Sequence, residues 1–271
     1  MTIENEIENE NVDLITLGKR RIYLVGTAHI SKASAELAES VVRQIKPNTV
    51  AIELCEGRYL SLKEPERWKN TDIVQVIKQG RAYVLMAQLI LAAFQKRLGK
   101  HLQIKPGEEM LRAIAAAEHC GARVVMADRD VKITLKRTWA ALSYWQMCKV
   151  LCGILGGVLS QETLSEEEVE KLKSADALQE LMKDFTRTLP SVRTALIDER
   201  DQFLASKIRE APGRTIVAVV GAGHVAGIKN WITKPIDMES IQVIPPPRKS
   251  RKLISWIIPG LLVVVCFFVV L

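Results

Sequence analysis

Cysteine is scarce, single-sign charge runs are short, and the usual nucleotide and serine-hydrolase signatures are absent. The five cysteines show no C-x-x-C spacing. Neither a disulfide scaffold nor a Cys-rich zinc knot is indicated, and a reducing compartment fits. Cys148 and Cys152 stand four apart on an apolar stretch, as small core residues do. Aromatic residues make up only 5% of the chain and do not interleave with Lys and Arg. The net charge of +7 comes from scattered cations, so the basic stacking groove of a nucleic-acid binder is missing and nucleic acid is excluded as a partner. No Walker glycine loop with its lysine occurs, nor a G-x-S-x-G elbow for a serine nucleophile. The opening MTIENEIENENVDL is acidic and has no apolar signal-peptide core.

What is present is 48% hydrophobic content over 271 residues, enough for one large α/β core with helical inserts. Runs of apolar β-formers predict strands at Ile22 to Val25, Thr49 to Leu54, Arg123 to Ala127 and Thr215 to Val220, and more weakly at Ile241 to Ile244. Helices are predicted between them. Ser31 to Gln44 carries its charges on one face, Glu108 to Cys120 stops at Gly121, and Pro190 to Arg209 holds Asp198 to Asp201 near its middle. The expected organisation has an acidic tail over 1–17, an α/β domain over 18–244, a Pro/basic linker over 245–252 and a membrane segment over 253–271. Helical inserts fall at about 60–106 and 139–209.

The membrane reading rests on LISWIIPGLLVVVCFFVVL, about 19 residues without charge, near the minimum for crossing a bilayer. Arg248, Lys249, Arg251 and Lys252 precede it, and by the positive-inside tendency they leave the α/β domain in the cytoplasm. Tyr83 to Phe94 is apolar but too short to span, and reads as a buried helix. Trp139 to Leu159 is longer. Its Lys149 and its breaks at Gly153, Gly156 and Gly157 favour a buried or membrane-facing helix over a second span. Ser165 with Glu168 forms a capping box for a soluble helix.

In an open α/β sheet the ligand crevice lies beyond the carboxyl ends of the strands. The residues standing there are His29, then Glu53, Glu56 and Arg58, then Asp128, Arg129 and Asp130, then His224. Both histidines follow an apolar strand and a glycine, in GTAH and GAGH. Two imidazoles and a carboxylate are the donor set that holds a divalent ion and leaves positions open for water and substrate. Arg58 or Arg200 could then hold an oxyanion or a substrate carboxylate. A lone histidine after a strand is more often a hydrogen-bonded structural residue, and Glu53 could equally be a buried partner of Arg58; the matched pair of G-x-x-H contexts favours the metal reading. His101 and His119 lie on a loop and a helix end without acidic companions, which suits surface or capping roles.

GAGHVAG also reads as a loose G-x-G-x-x-x-G cofactor loop. Only about 25 residues separate it from the prolines at 245–247, too few for a helix, a returning strand and a second mononucleotide half.

VGTAHIS, VAIELCEGRY, KPGEEM, VVMADRDVKITLKR, IDERDQFLA and VVGAGHVAGI occur in that order over roughly residues 21 to 230. In these motifs the chain resembles the TraB/PrgY family of pheromone-shutdown proteins, within a wider group that includes the Tiki proteases and the GumN-like proteins. The resemblance implies an α/β fold with a central mixed sheet flanked by helices. It implies two related halves, each opening with a G-x-x-H strand-turn, followed by a C-terminal transmembrane helix. It also implies metal-dependent peptidase activity, well supported in the Tiki branch and inferred in the TraB branch. Carried over by motif, the metal ligands are His29, His224 and Glu53, and Arg58 belongs to the ELCEGR motif. Glu108 and Glu109 fall in GEEM, Asp128, Arg129 and Asp130 in ADRD, and Glu199 and Arg200 in ERD. Two departures stand out: Tiki proteins act outside the cell, whereas the basic flank here predicts a cytoplasmic domain, and TraB-type proteins continue through several spans.

Two functions are therefore expected. One is a membrane-anchored metallopeptidase or related hydrolase acting on signalling peptides or proteins. It would use Mn, Co or Zn, with Glu199 or Glu56 carrying the proton and Arg58 or Arg200 binding charge. The other is a non-catalytic membrane protein that binds or sequesters a signalling peptide in the same crevice. A homo-oligomer is compatible with either.

Overall fold

The computed structural model describes residues 9–27, 32–64, 107–143, 145–146, 149 and 190–245. The four stronger predicted strands are present, joined by one that was not predicted. β1 (Val12–Leu17) runs antiparallel to β2 (Arg20–Thr27), while β3 (Thr49–Ile52), β4 (Arg123–Met126) and β5 (Thr215–Gly221) extend the sheet in parallel. The five-stranded order is β1-β2-β5-β3-β4. β5, late in the chain, thus lies between two strands from its beginning. The chain divides into two compact units, and the first, spanning 1–63, 103–134 and 193–243, contains the whole sheet.

Both faces of that sheet are covered, which explains why its central strands read as unbroken apolar runs instead of an alternation of apolar and polar residues. Side chains still alternate between faces. Tyr23, Val25, Val50, Ile52, Val217 and Val219 point to one side, where they meet α1 (Lys32–Ile45) and α3 (Glu108–Cys120). Ile22, Leu24, Ala51, Ile216, Ala218 and Val220 point to the other, against α6 (Glu199–Glu210) and α7 (Ala222–Trp231). A mixed sheet between two helical layers results. α3 stops where its composition said it would, with Gly121 in the left-handed conformation at φ 70.

Three boundaries differ from the expectation. Residues 12–17 belong to an edge strand instead of an acidic tail; in VDLITL the apolar positions pair across to β2, Leu14 opposite Tyr23. The weak strand at Ile241 to Ile244 is instead the helical turn α8 (Met238–Gln242), whose first turn is capped by the Asp237 carboxylate accepting from the Ser240 N–H. The helix expected over Pro190 to Arg209 is divided into α5 (Pro190–Arg193), a π-helical turn (Thr194–Asp198) and α6. Its latter part, assigned to an insert, packs instead in the core, with Leu204, Ala205 and Ile208 fully buried.

α2 (Glu56–Lys63) follows β3 and has no buried residue. α4 (Val131–Ala141) begins directly after the β4 end. In the second unit, Ser143 and Gln146 exchange side-chain to backbone hydrogen bonds. The segments 253–271, 65–106 and most of Trp139 to Leu159 lie outside the described residues, as do the linker from 246 onward and the Ser165/Glu168 box. Among the described residues no helix is long and apolar enough to cross a membrane.

Candidate functional site

The parallel strands end together on one side of the sheet, and charged residues begin where their apolar runs stop. Glu53 follows β3 directly and is 3% exposed. Its Oε2 accepts the Gly221 N–H at 2.6 Å and its Oε1 accepts from Arg200 Nη2 at 2.6 Å. Arg200 also reaches Asp128, beyond β4, with Nε to Oδ1 at 3.0 Å and Nη2 to Oδ2 at 2.8 Å. One guanidinium therefore ties two strand ends to α6. Burial works against the charge of Arg200, but attraction to Asp128 and Glu53 and the hydrogen bonds to both outweigh it, so its pKa stands above the ordinary arginine value. At the rim, Arg58 on α2 keeps 45% of its side chain exposed with Nη1 3.8 Å from Asp128 Oδ2.

His224 occupies the first turn of α7, where β5 turns into the helix. Its Nδ1 is 2.5 Å from Asp201 Oδ1, and its Nε2 is 3.4 Å from Glu53 Oε1. Asp201 comes from α6, one residue after Arg200. Burial raises its carboxyl above the usual range, although the hydrogen bond from His224 pulls the other way. The contact exists because Gly227, one turn along α7, has no side chain; a Cβ there would collide with the Asp201 carboxylate. One glycine of GAGHVAG is thereby accounted for without a nucleotide, since Gly227 admits Asp201, while the Gly221 N–H donates to Glu53.

A second charge pair lies behind the first. The Arg129 side chain is fully buried, and Nη1 donates to Glu199 Oε2 at 2.7 Å. The consecutive pair Asp128-Arg129 thus meets the consecutive pair Glu199-Arg200 crosswise, acid to base in both cases. Asp130 is exposed and accepts the Lys132 N–H at 2.7 Å, at the start of α4. Glu108 pairs with Arg112 one turn along α3 at 2.6 Å. Glu109 is buried at the start of that helix, and Glu56 is exposed in the first turn of α2.

Of the residues expected at the site, the structure brings together Glu53, Asp128, Arg200 and His224, with Arg58 at the rim. Arg129 and Glu199 support them from behind, whereas Asp130 serves a helix end and Glu108 its own helix. His119 is exposed at the end of α3, and His29 and His101 lie outside the described residues. Asp201 was missed. It stood in plain view within IDERD, but only the third glycine of GAGHVAG hinted that another chain segment approaches α7.

The donor pair can be tested for metal fit. Two ligand atoms about 2.1 Å from a tetrahedral ion stand about 3.4 Å apart, which is the His224 Nε2 to Glu53 Oε1 separation of 3.4 Å. Asp201 on Nδ1 is the outer carboxylate that metal-binding histidines commonly have. The pair fits. Among the described residues, no group of three His, Cys, Asp or Glu side chains is placed to hold an ion.

The profile of the TraB/PrgY/gumN family matches residues 12–237. The chain belongs to that family. Every site residue above lies within the match, and its first residue is the first of β1. An uncharacterized protein of Methanocaldococcus jannaschii is 34% identical over 244 residues, covering 87% of this chain. The chain spans 60% of that relative's length. A TraB domain-containing protein of Bos taurus is 29% identical over 267 residues, covering 89% of this chain and 70% of its own, and one of Homo sapiens is 29% identical over 259 residues, covering 86% and 68%. The order of motifs that pointed to this TraB-type domain is thus supported along nearly its whole length.

Proposed function

We propose that this TraB-family chain is a membrane-anchored, metal-dependent peptidase or related hydrolase acting on signalling peptides or proteins. The observation that carries the proposal is His224, held through Nδ1 by Asp201 at 2.5 Å while its Nε2 faces Glu53. An ionised Asp201 would hold the imidazole proton on Nδ1 and leave the Nε2 lone pair for a metal ion. His224 and Glu53 would hold Mn, Co or Zn, with His29 as the third ligand by its G-x-x-H motif. A divalent ion supplies polarisation of a carbonyl and a water acidic enough to attack it near neutral pH.

The protein's own groups then divide the remaining work. Arg200 holds Glu53 through Nη2 and presents a fixed positive charge toward developing negative charge. Arg58, half exposed at the rim, binds an anionic substrate group. Of the two glutamates considered for proton transfer, Glu199 is held by Arg129, so Glu56, exposed on α2, is the better candidate. The apolar run 253–271 anchors the domain, and the basic flank places it in the cytoplasm.

The second reading, peptide binding without turnover, is favoured by one specific contact: the Arg200 cation lies 2.6 Å from the same Glu53 oxygen that faces His224. A metal ion would have to share that oxygen with a guanidinium. Metal content of the full chain in mild detergent, in wild type and in a His29→Ala/His224→Ala double variant, decides between them. Near-stoichiometric metal that the double variant loses, together with cleavage of a peptide library, is expected. Wild-type protein that takes up no added Mn, Co or Zn would leave peptide binding as the function.

A further inference from the structure

The turn Thr194–Asp198 is π-helical, and its place in the chain is informative: it ends one residue before Glu199, Arg200 and Asp201. In an α-helix the Glu199 N–H would bond the Ala195 carbonyl. Here it bonds Thr194 O, one residue further back. The Ala195 carbonyl is thereby released from the helix ladder while Ala195 stays buried, and a buried carbonyl without a partner costs about 1–3 kcal/mol. Arg129 provides the partner, with Nη2 donating to Ala195 O at 2.7 Å.

The same guanidinium makes three further contacts: Nε to Thr134 Oγ1 at 3.0 Å, Nη1 to Glu199 Oε2 at 2.7 Å and Nη1 to Ile241 O at 2.7 Å. Its planar fork therefore joins α4, the π turn, the first residue of α6 and α8. A lysine, with its single nitrogen, could not reach all of these at once. The core residues Leu204, Ala205 and Ile208 fix the middle of α6. They leave its first turn free to tighten into ordinary α geometry unless something holds the π turn open. That first turn carries both side chains that reach across to Glu53 and His224.

We propose that Arg129 is a positioning residue: by holding Ala195 O and the Glu199 carboxylate it keeps the π turn open and so aims Arg200 at Glu53 and Asp201 at His224. The inference rests on the reading of Glu53 and His224 as the site, but its readouts do not require turnover. π turns are rare and concentrate at functional sites, as this geometry would lead one to expect.

The test is Arg129→Lys in the full chain, in detergent, with two readouts. Amide hydrogen exchange across residues 194–201 is expected to accelerate about tenfold, as loss of charge-assisted hydrogen bonds predicts. The ring-nitrogen NMR signals of His224 are expected to shift as the Asp201 carboxylate moves off Nδ1. A folded Arg129→Lys protein with wild-type exchange and a wild-type His224 spectrum would overturn the proposal. If Arg129→Lys does not fold, Thr134→Val, which removes one acceptor from the guanidinium, takes its place. A smaller change in the same two readouts supports the proposal, and none overturns it. A protein that passes this test yet cleaves no peptide would refute the hydrolase reading alone.

Discussion

The two ends of the one sheet use polar side chains differently. Where the parallel strands begin, side chains serve the backbone. The Arg20 guanidinium donates to the carbonyls of Arg209, Ala211 and Gly213, and Asn48 Oδ1 accepts the N–H groups of Arg214 and Thr215 at 2.9 Å each. Where the strands end, Glu53, Arg200, Asp128, Arg129, Glu199, Asp201 and His224 bond chiefly to one another, with the Gly221 N–H and the carbonyls of Ala195 and Ile241 as further partners. The first arrangement satisfies turns that any chain of this topology must make. The second removes ions from water, and the desolvation is repaid only if the geometry is good. A fold seeking stability alone would fill that volume with apolar side chains; charges kept there at a cost mark the end that has a task.

The comparison can be broken most severely at two glycines. Gly227→Ala drives a Cβ into the Asp201 carboxylate, and under the proposed hydrolase function the cleavage rate is expected to fall about 100-fold or more, since a misplacement near 1 Å can cost that much. Gly213→Ala, at the other end, meets Asn48 and must adopt φ +102. It is expected to cost about 1–3 kcal/mol of stability and, under the same proposal, to leave the cleavage rate per folded molecule unchanged. Urea unfolding beside peptide cleavage checks both, and equal loss of activity in the two variants would erase the distinction.

A smaller effect is expected from Arg20→Ala, which leaves three carbonyls without their donor at the turn end. About 2–3 kcal/mol of stability should be lost, with the His224 ring spectrum untouched; a shifted spectrum would show that the two ends are coupled.

The smallest effect concerns pH. Burial raises the folded pKa of Asp201 above its unfolded value. Its contribution to stability is therefore fully present below about pH 3.9, the ordinary aspartate value, and is lost as pH rises through the raised folded pKa. Asp201→Asn cannot ionise, and its stability should be flatter with pH across that window. An unchanged slope in urea melts from acid to neutral pH would assign the dependence to other groups.

Much of this was legible in residue order. The apolar runs at 22–25, 49–54, 123–127 and 215–220 announced the parallel strands, because a strand covered on both faces has no polar alternation to hide it. The positions at or just past the ends of those runs announced Glu53, Asp128 and His224. β1 was missed because VDLITL is short and follows an acidic stretch that looks solvated. The π turn was missed because its sequence TALID is ordinary helical composition, and nothing in composition reveals which carbonyl an N–H will choose.

What the sequence determined by itself was the four parallel strands, the residue types at their ends and the family, since each depends on patterns carried by neighbouring residues. The tertiary structure decided which carboxylate faces which cation. Arg58, near Glu53 in sequence, went to the rim beside Asp128, while Arg200, distant in sequence, took Glu53. The reason is topological: β5 inserts between β2 and β3, so α6 and α7 are delivered to the carboxyl ends of strands formed much earlier in the chain. Contacts of that kind follow from strand order, which no local stretch of sequence encodes.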